Sequence, residues 1–295
     1  MQKILENKIA VVTGGTRGLG LAIAKAYAQA GASVVIASRS QQSVNHALEI
    51  LHAQGAKASG ITCDMGEREQ VQALGEHAIS TFGHFDIWVN NAGTAGPYGP
   101  TVHINPDKFV SVIKTNILGV YYGSITAMRH FLPNSGGKLI NMLGRGDRKP
   151  VPMQNAYTAS KAWVRSFTQA LSEEYKTSGV GIFAYNPGLM ETDLMEKIEA
   201  VKGYEDRLKP LGVVMRMWAN PPEVPAQKAV WLASSETDGR TGLVVNELNI
   251  ARIIGGLVQE GIRRLSGQPA PESRFEVESV APEIPLELGP EGSPA

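Results

Sequence analysis

The chain has 295 residues, 43% of them hydrophobic, and its 28 Lys and Arg balance 28 Asp and Glu; residues 268–295 alone hold six Glu against one Arg, so the preceding body carries +5. That small surplus lacks the basic stripe a nucleic-acid binder needs, a single cysteine (Cys63) precludes an internal disulfide, and no apolar run reaches the ~20 residues that span a bilayer. With no apolar secretory signal in Met1 to Ala10, these features predict a reduced, cytoplasmic, soluble protein that neither binds nucleic acid nor lives in the membrane.

In chain order, Lys8 to Thr13 is a short β-branched run ending in glycine and reads as a buried parallel strand. Leu19 to Ala30 follows at helical spacing and stops at Gly31. Ser33 to Ala37 is a second strand, Ser43 to Gln54 a helix, Ala58 to Cys63 a third strand and Arg68 to Phe82 a helix. Ile87 to Val89 begins a fourth strand, Asp107 to Phe131 is one long helix, and Lys138 to Met142 a fifth strand. Tyr157 to Thr177 is a helix and Gly181 to Tyr185 a sixth strand. Alternating strands and helices of this length predict an α/β, Rossmann-type doubly wound parallel sheet with helices on both faces. A single domain is expected over 1–265. Residues 266–295, rich in Pro and Glu, are expected to form a disordered tail.

Between the first strand and the first helix lies Thr13-Gly14-Gly15-Thr16-Arg17-Gly18-Leu19-Gly20. Glycines there permit a tight turn and let a pyrophosphate approach the helix N-terminus, whose free N–H groups favour an anion. An NAD site usually places an acid about twenty residues on, to bind the ribose diol. This chain instead reads Ala37-Ser38-Arg39-Ser40. A carboxylate would repel a 2′-phosphate, whereas Arg39 offers a planar fork and Arg17 a second positive charge. The expected cofactor is NADP(H).

Tyr157-Thr158-Ala159-Ser160-Lys161 opens the helix after the fifth strand, and residues i and i+4 share a helix face. A phenol at pKa ~10 needs about 4 kcal/mol of help to move three units, part of which a lysine cation can supply. Taken alone the pattern is prone to coincidence, and a surface helix pair is the better reading. Combined with the glycine loop, with Cys63-Asp64-Met65, Asn90-Asn91-Ala92-Gly93, Asn116 in Lys114-Thr115-Asn116, and Pro187-Gly188 followed by Thr192, it resembles the short-chain dehydrogenase/reductase family. The likeness runs from about Lys8 to Thr192 and is to the short, single-domain kind.

The resemblance implies that Tyr157 is the general acid/base, that Lys161 lowers its pKa and binds the nicotinamide ribose, and that Asn116 holds a water in a proton relay. It implies cofactor contacts from Gly14, Thr16, Arg17, Gly18, Leu19, Gly20, Ser38 and Arg39, with Asp64 accepting from the adenine amine beside Met65. Asn90, Ala92 and Gly93 line the cofactor, and Pro187, Gly188 and Thr192 meet its nicotinamide half. Bland readings stand beside two of these: Asn116 as a satisfied polar residue at a helix kink, Asp64 as a turn former.

One departure is plain. The family's serine, thirteen residues before the tyrosine, is Gly144 in this chain. Losing such a donor typically costs ~3 kcal/mol, or 10²–10³ in rate. Asp147, Asn155 or an ordered water are the candidate replacements. Members similar to chlorophyll b reductases also carry a glycine-rich segment at this place.

Residues 189–222 fall where the family varies its substrate lid, and Met190, Met195, Tyr204, Met215, Met217 and Trp218 suit an apolar ligand or, equally, simple packing. After Thr241 to Val245, which matches the family's last strand, Ile250, Ile253, Ile254, Leu257, Val258, Ile262 and Leu265 form an apolar stripe at helical spacing. Such a helix can cover the substrate pocket, extend a subunit interface or lie on a membrane surface, and packing on the protein's own body is the default expectation. The expected activity is hydride transfer between NADP(H) and a ketone or secondary alcohol with an apolar lean, by a homodimer or homotetramer. No metal site is expected, because the six histidines lack paired spacing. The alternative is an NADP(H)-binding regulatory or scaffold protein with little or no catalysis, which Gly144 favours and the Asn116, Tyr157, Lys161 set opposes.

Overall fold

Ile9–Thr13 forms β1, and all five residues are buried, as a strand covered on both faces requires. The structure, a computed structural model, describes residues 3–190, 197–247, 250–266 and 275–284. Around β1 stand β2 (Ser33–Ser38), β3 (Ala58–Thr62), β4 (Ile87–Asn90), β5 (Lys138–Met142), β6 (Gly181–Asn186) and β8 (Val244–Asn246). They make one seven-stranded sheet in the order β3-β2-β1-β4-β5-β6-β8, and every pairing is parallel. The winding reverses between β1 and β4, which opens a crevice at their carboxyl ends.

Helices cover both faces. On one side α1 (Gly18–Gln29), α2 (Gln41–Ala53) and the helix Glu223–Ala233 bury Ile23, Tyr27, Leu51 and Ala229 against Val12, Val34 and Ile36. On the other, α3 (Arg68–Phe82) and α5 (Gly119–Phe131) set Leu74, Ala127 and Phe131 against Val11, Trp88 and Leu139. Beside them α6 (Asn155–Glu174) packs Val164 against Val120 and Ala184.

The long helix expected from Asp107 to Phe131 is not continuous. Asn105 caps its first part, α4 (Pro106–Ile113), by accepting from the backbone N–H of Asp107 at 2.9 Å. Lys114–Leu118 then widens into one π-helical turn before α5 begins. Such turns interrupt the regular ladder and re-aim the residue they carry, which here is Asn116.

The tail also differs from expectation. Glu276–Val280 is a strand, β9, paired in parallel with β7 (Lys197–Val201) in a separate two-stranded sheet. Phe275 and Val277 join the small core of Ile198, Ala200 and Leu208, and Glu283 N–H donates to the His103 carbonyl at 3.0 Å. Along Glu276-Val277-Glu278-Ser279-Val280 the two Glu share one face and Val277 takes the other, toward that small core, a pattern too short for composition to reveal.

Candidate functional site

The glycine loop after β1 is shaped by backbone contacts. Gly14 has φ 62° and Gly18 φ 50°, values open to glycine at little cost. A β-carbon on Gly20 would overlap the Gly14 carbonyl, and one on Gly14 would come within 2.9 Å of Ala92 Cα. Helix α1 starts here with no side-chain cap and no acid in its first turn, so its N-terminal amides and dipole remain suited to a pyrophosphate. Arg17 is its N-cap residue, and Arg17 and Arg39 are both exposed. Ser38 ends β2, half-buried, one residue from Arg39. Leu19 points its side chain into the core, so only its backbone belongs to the loop.

Asn91, which sequence reasoning passed over, holds this loop to β4. Its Nδ2 donates to the carbonyls of Thr13 at 3.0 Å and Gly14 at 3.3 Å, while the Thr13 hydroxyl accepts from the N–H groups of Asn91 and Ala92. The preceding residue faces elsewhere. Asn90 is buried, with Nδ2 on Asn141 at 2.8 Å and Ser124 at 3.1 Å and its Oδ1 accepting from the Trp88 indole, so its side chain braces strands and helices instead of lining the crevice. The alternation of a strand explains this: neighbouring side chains take opposite faces. Asp64 is likewise spent in a turn, accepting from Gly66 N–H at 2.9 Å, and Met65 is buried in the core. The adenine contact expected of the Asp64 side chain thus competes with its turn.

At the other end of the crevice, Lys161 is 5% exposed and donates to the Met142 carbonyl at 3.0 Å. Its ammonium is 5.7 Å from the centre of the Tyr157 ring. Burial pushes the Tyr157 phenol up to about 12, with Asp147 adding to the rise and Arg145 opposing it. Burial pulls the Lys161 ammonium down to about 8.

Asn116 is wholly buried in its π-turn. Its Nδ2 donates to Thr94 O at 2.9 Å and Ser160 Oγ at 3.0 Å, and its Oδ1 accepts from Thr94 N–H at 2.9 Å. A β-carbon at Gly93 would lie 3.4 Å from Asn116 Oδ1 and 3.8 Å from Lys161 Nζ, so the three residues converge. The Asn116 side chain is thus fully hydrogen-bonded at the turn that breaks the helix.

Gly144 and its surroundings replace the expected serine. The hydroxyl of Tyr157 stands directly over the Gly144 Cα, in the space a side chain would take. Neither candidate replacement reaches in freely: Asp147 pairs with Arg165 at 2.9 Å, and Asn155 donates to Thr101 Oγ1 at 3.2 Å. Asn186, a second residue missed in the sequence, bridges both loops. Its Nδ2 donates to Gly144 O and Asp147 Oδ1, each at 3.2 Å, and its Oδ1 accepts from Gly188 N–H at 3.0 Å. Gly188, next to Pro187, has φ 75°. Thr192 and Met195 lie outside the described residues, as do the side chains of Ile250 and Ile253.

A recess of only about 10 Å³, room for one water, opens one residue from Tyr157, between residues 95–97, α4 and the start of α6; Thr101, Lys108 and Asn155 line it together with Ile104, Phe109 and Val112. Of the lid residues, Tyr204 is buried in packing. Among the described residues there is no cluster able to hold a metal ion and no helix long and apolar enough to cross a membrane.

Residues 8–203 match the model of the short chain dehydrogenase family. The 3beta-hydroxysteroid dehydrogenase 1 of Eggerthella lenta is 34% identical over 243 residues, covering 81% of this chain and 91% of its own. A solved actinorhodin polyketide ketoreductase variant with NADPH superimposes with a TM-score of 0.75 at 25% identity, over 87% of this chain and 99% of its own. The 3-ketoacyl-(acyl-carrier-protein) reductase from Brucella melitensis, complexed with NADH, gives 0.73 at 29% identity over 82% and 97%.

Proposed function

Given that the chain belongs to the short-chain dehydrogenase/reductase family, we propose that it is an NADP(H)-dependent oxidoreductase acting on a ketone or secondary alcohol. The observation that carries the reading is the convergence of the buried Lys161 and Asn116 on the exposed Gly93 beside the Tyr157 ring. The nicotinamide, when bound, supplies or takes the hydride. Tyr157 gives its proton to the carbonyl oxygen in reduction and recovers it in oxidation. Lys161 stabilises the phenolate that results and, with Asn116, returns a proton to it. A phenol held near 12 is protonated at neutral pH, so this site is better prepared as an acid, for reduction, than as a base.

The glycine loop and the uncapped start of α1 fit a dinucleotide's phosphates. Similar solved structures hold NADPH in one case and NADH in another, so likeness does not choose the cofactor. Arg39 and the missing acid at the end of β2 support NADP(H).

Gly144 favours a second reading, a cofactor-binding protein with little catalysis. NADPH oxidation against a ketone panel separates the two. Turnover that Tyr157→Phe lowers at least 10³-fold, with NADPH binding intact, supports the enzyme. If NADPH binds and no carbonyl is ever reduced, the binding protein is the better description.

A further inference from the structure

The helix Ile250–Leu265 packs with its polarity reversed. A surface helix normally turns its apolar stripe to the core. This one meets the helix Leu211–Trp218 through Gly256 and Glu260. A β-carbon on Gly256 would overlap the Met217 carbonyl and approach the Trp218 indole to 2.8 Å. Glu260, 8% exposed, accepts from Arg263 at 2.8 and 2.9 Å and from Arg264 at 3.0 Å, with Arg216 at 3.8 Å. The opposite face carries Ile254, Leu257, Val258, Ile262 and Leu265, which are 53% to 92% exposed.

We propose that this helix docks the protein on an anionic lipid surface, its five exposed aliphatic side chains entering the headgroup boundary. Two features select that occupant. First, three guanidiniums around the one Glu260 carboxylate leave that cluster a surplus of positive charge, and its Arg264, 64% exposed, lies at one edge of the stripe. Lipid phosphates neutralise that surplus, whereas a second copy would bring an identical surplus to the contact. Second, at ~100° per residue the five side chains cover an arc of about 140°, broader than the narrow seam of a helix pair and suited to lying in an interface. Sixteen residues span only about 24 Å, short of the ~30 Å hydrocarbon core, so the helix lies in the plane of the membrane.

The docked face is coupled to the candidate site. Asn220, just beyond the helix Leu211–Trp218, donates its N–H to the Leu189 carbonyl at 2.9 Å, next to Gly188. A bilayer at this face would hold the substrate flank close to lipid-dissolved carbonyl compounds. That consequence rests on the proposed activity; the docking itself does not.

Flotation of the full chain with phosphatidylcholine vesicles, with and without about one-third phosphatidylserine, tests the proposal. The expected result is flotation with the serine-lipid vesicles, reduced by salt, and a partition at least about tenfold weaker for Ile254→Ser/Leu257→Ser/Ile262→Ser. Those side chains face solvent, so circular dichroism and NADPH binding should match the parent chain. Failure of the parent to float on either vesicle, or equal flotation of the triple variant, overturns it. A smaller assembly size for the triple variant in light scattering, without vesicle binding by the parent, assigns the stripe to a second copy instead. None of these readouts requires turnover, so failure of the enzyme reading is seen separately.

Discussion

Gly144 lies directly beneath the Tyr157 hydroxyl, so closely that a β-carbon on it would overlap the phenol oxygen. The glycine therefore does more than omit a donor; it makes the room in which the phenol sits. Gly144→Ser should not repair the site. Either the phenol or the loop must shift, and overpacking of this kind typically costs 1–3 kcal/mol. The expected outcome is a fall of about tenfold or more in kcat for any ketone that is turned over, with NADPH affinity little changed. Steady-state kinetics of the serine variant check this, and a gain in kcat would show that the tyrosine moves freely and that the missing donor was the dominant defect.

The lysine sets the pH response. Burial lowers Lys161 to about 8, so its positive charge is present below that pH and is lost as the pH rises through it. Tyr157, raised to about 12, keeps its proton across the same window. Reduction should therefore hold steady near neutrality and decline above about pH 8 as support for the phenolate is lost. Arg145→Gln removes a charge that favours the phenolate, so it should raise the tyrosine further and leave the decline near 8 in place. A pH profile of kcat/KM for both forms decides the point; a limb that moves with Arg145 would belong to another group.

The proposed preference for NADP(H) turns on Arg39. A carboxylate there would repel a 2′-phosphate and could accept from a ribose diol. Arg39→Glu should weaken NADPH binding by about 10- to 100-fold, the scale of one charge-assisted contact, and weaken NADH binding far less or not at all. Parallel fluorescence titrations with the two cofactors measure the ratio. Equal losses for both would place Arg39 outside the phosphate contact.

The ion pair beneath the Gly144 loop should be structural. The Asp147 side chain is 8% exposed and its Oδ2 takes Arg165 Nη1 at 2.9 Å, while Asn186 holds its other oxygen. Breaking a buried pair from one side leaves an uncompensated charge and typically costs 3–5 kcal/mol. Arg165→Met is expected to lower Tm by roughly 6 to 15 °C for a domain of this size. Asp147→Asn with Arg165→Met should recover much of that loss. Calorimetry on the single and double variants gives the coupling.

How far these features could be read in advance depended on side-chain direction. β1 and β2 are apolar runs that fit a sheet covered on both faces, and Tyr157 with Lys161 lies on one helix face by spacing alone. Spacing does not say which way a strand residue points, and so Asn90 was read into the crevice when it braces Asn141, while Asn91 beside it holds the loop. Nor does periodicity mark a π-turn, since the apolar pattern runs through Lys114–Leu118 without a break. The pairing of β7 with β9 was the least legible: its partners are about eighty residues apart, and the second lies in a stretch whose Pro and Glu content argued for disorder.

That late pairing changes what removal of the tail should do. β9 hydrogen-bonds along the whole of β7, and β7 in turn holds residues 98–99: Tyr98 donates to Glu199 O at 2.8 Å, and Val201 N–H donates to Tyr98 O at 2.8 Å. Gly99 N–H is bound to Met153 O, four residues before Tyr157, and Asn105, which caps α4, donates to Glu283. Among the described residues, the tail braces the walls of the recess beside Ala156 and makes no hydrogen bond to the glycine loop. Ending the chain at Gly267 should leave NADPH affinity within about twofold, because no phosphate-side contact is lost, but raise KM for an apolar ketone by about tenfold as the recess loosens. Proteolysis should then cut first within residues 95–105. Unchanged KM and unchanged cleavage would show that β7 holds the recess without its partner strand, and a large loss of NADPH affinity would place the tail in the cofactor site instead.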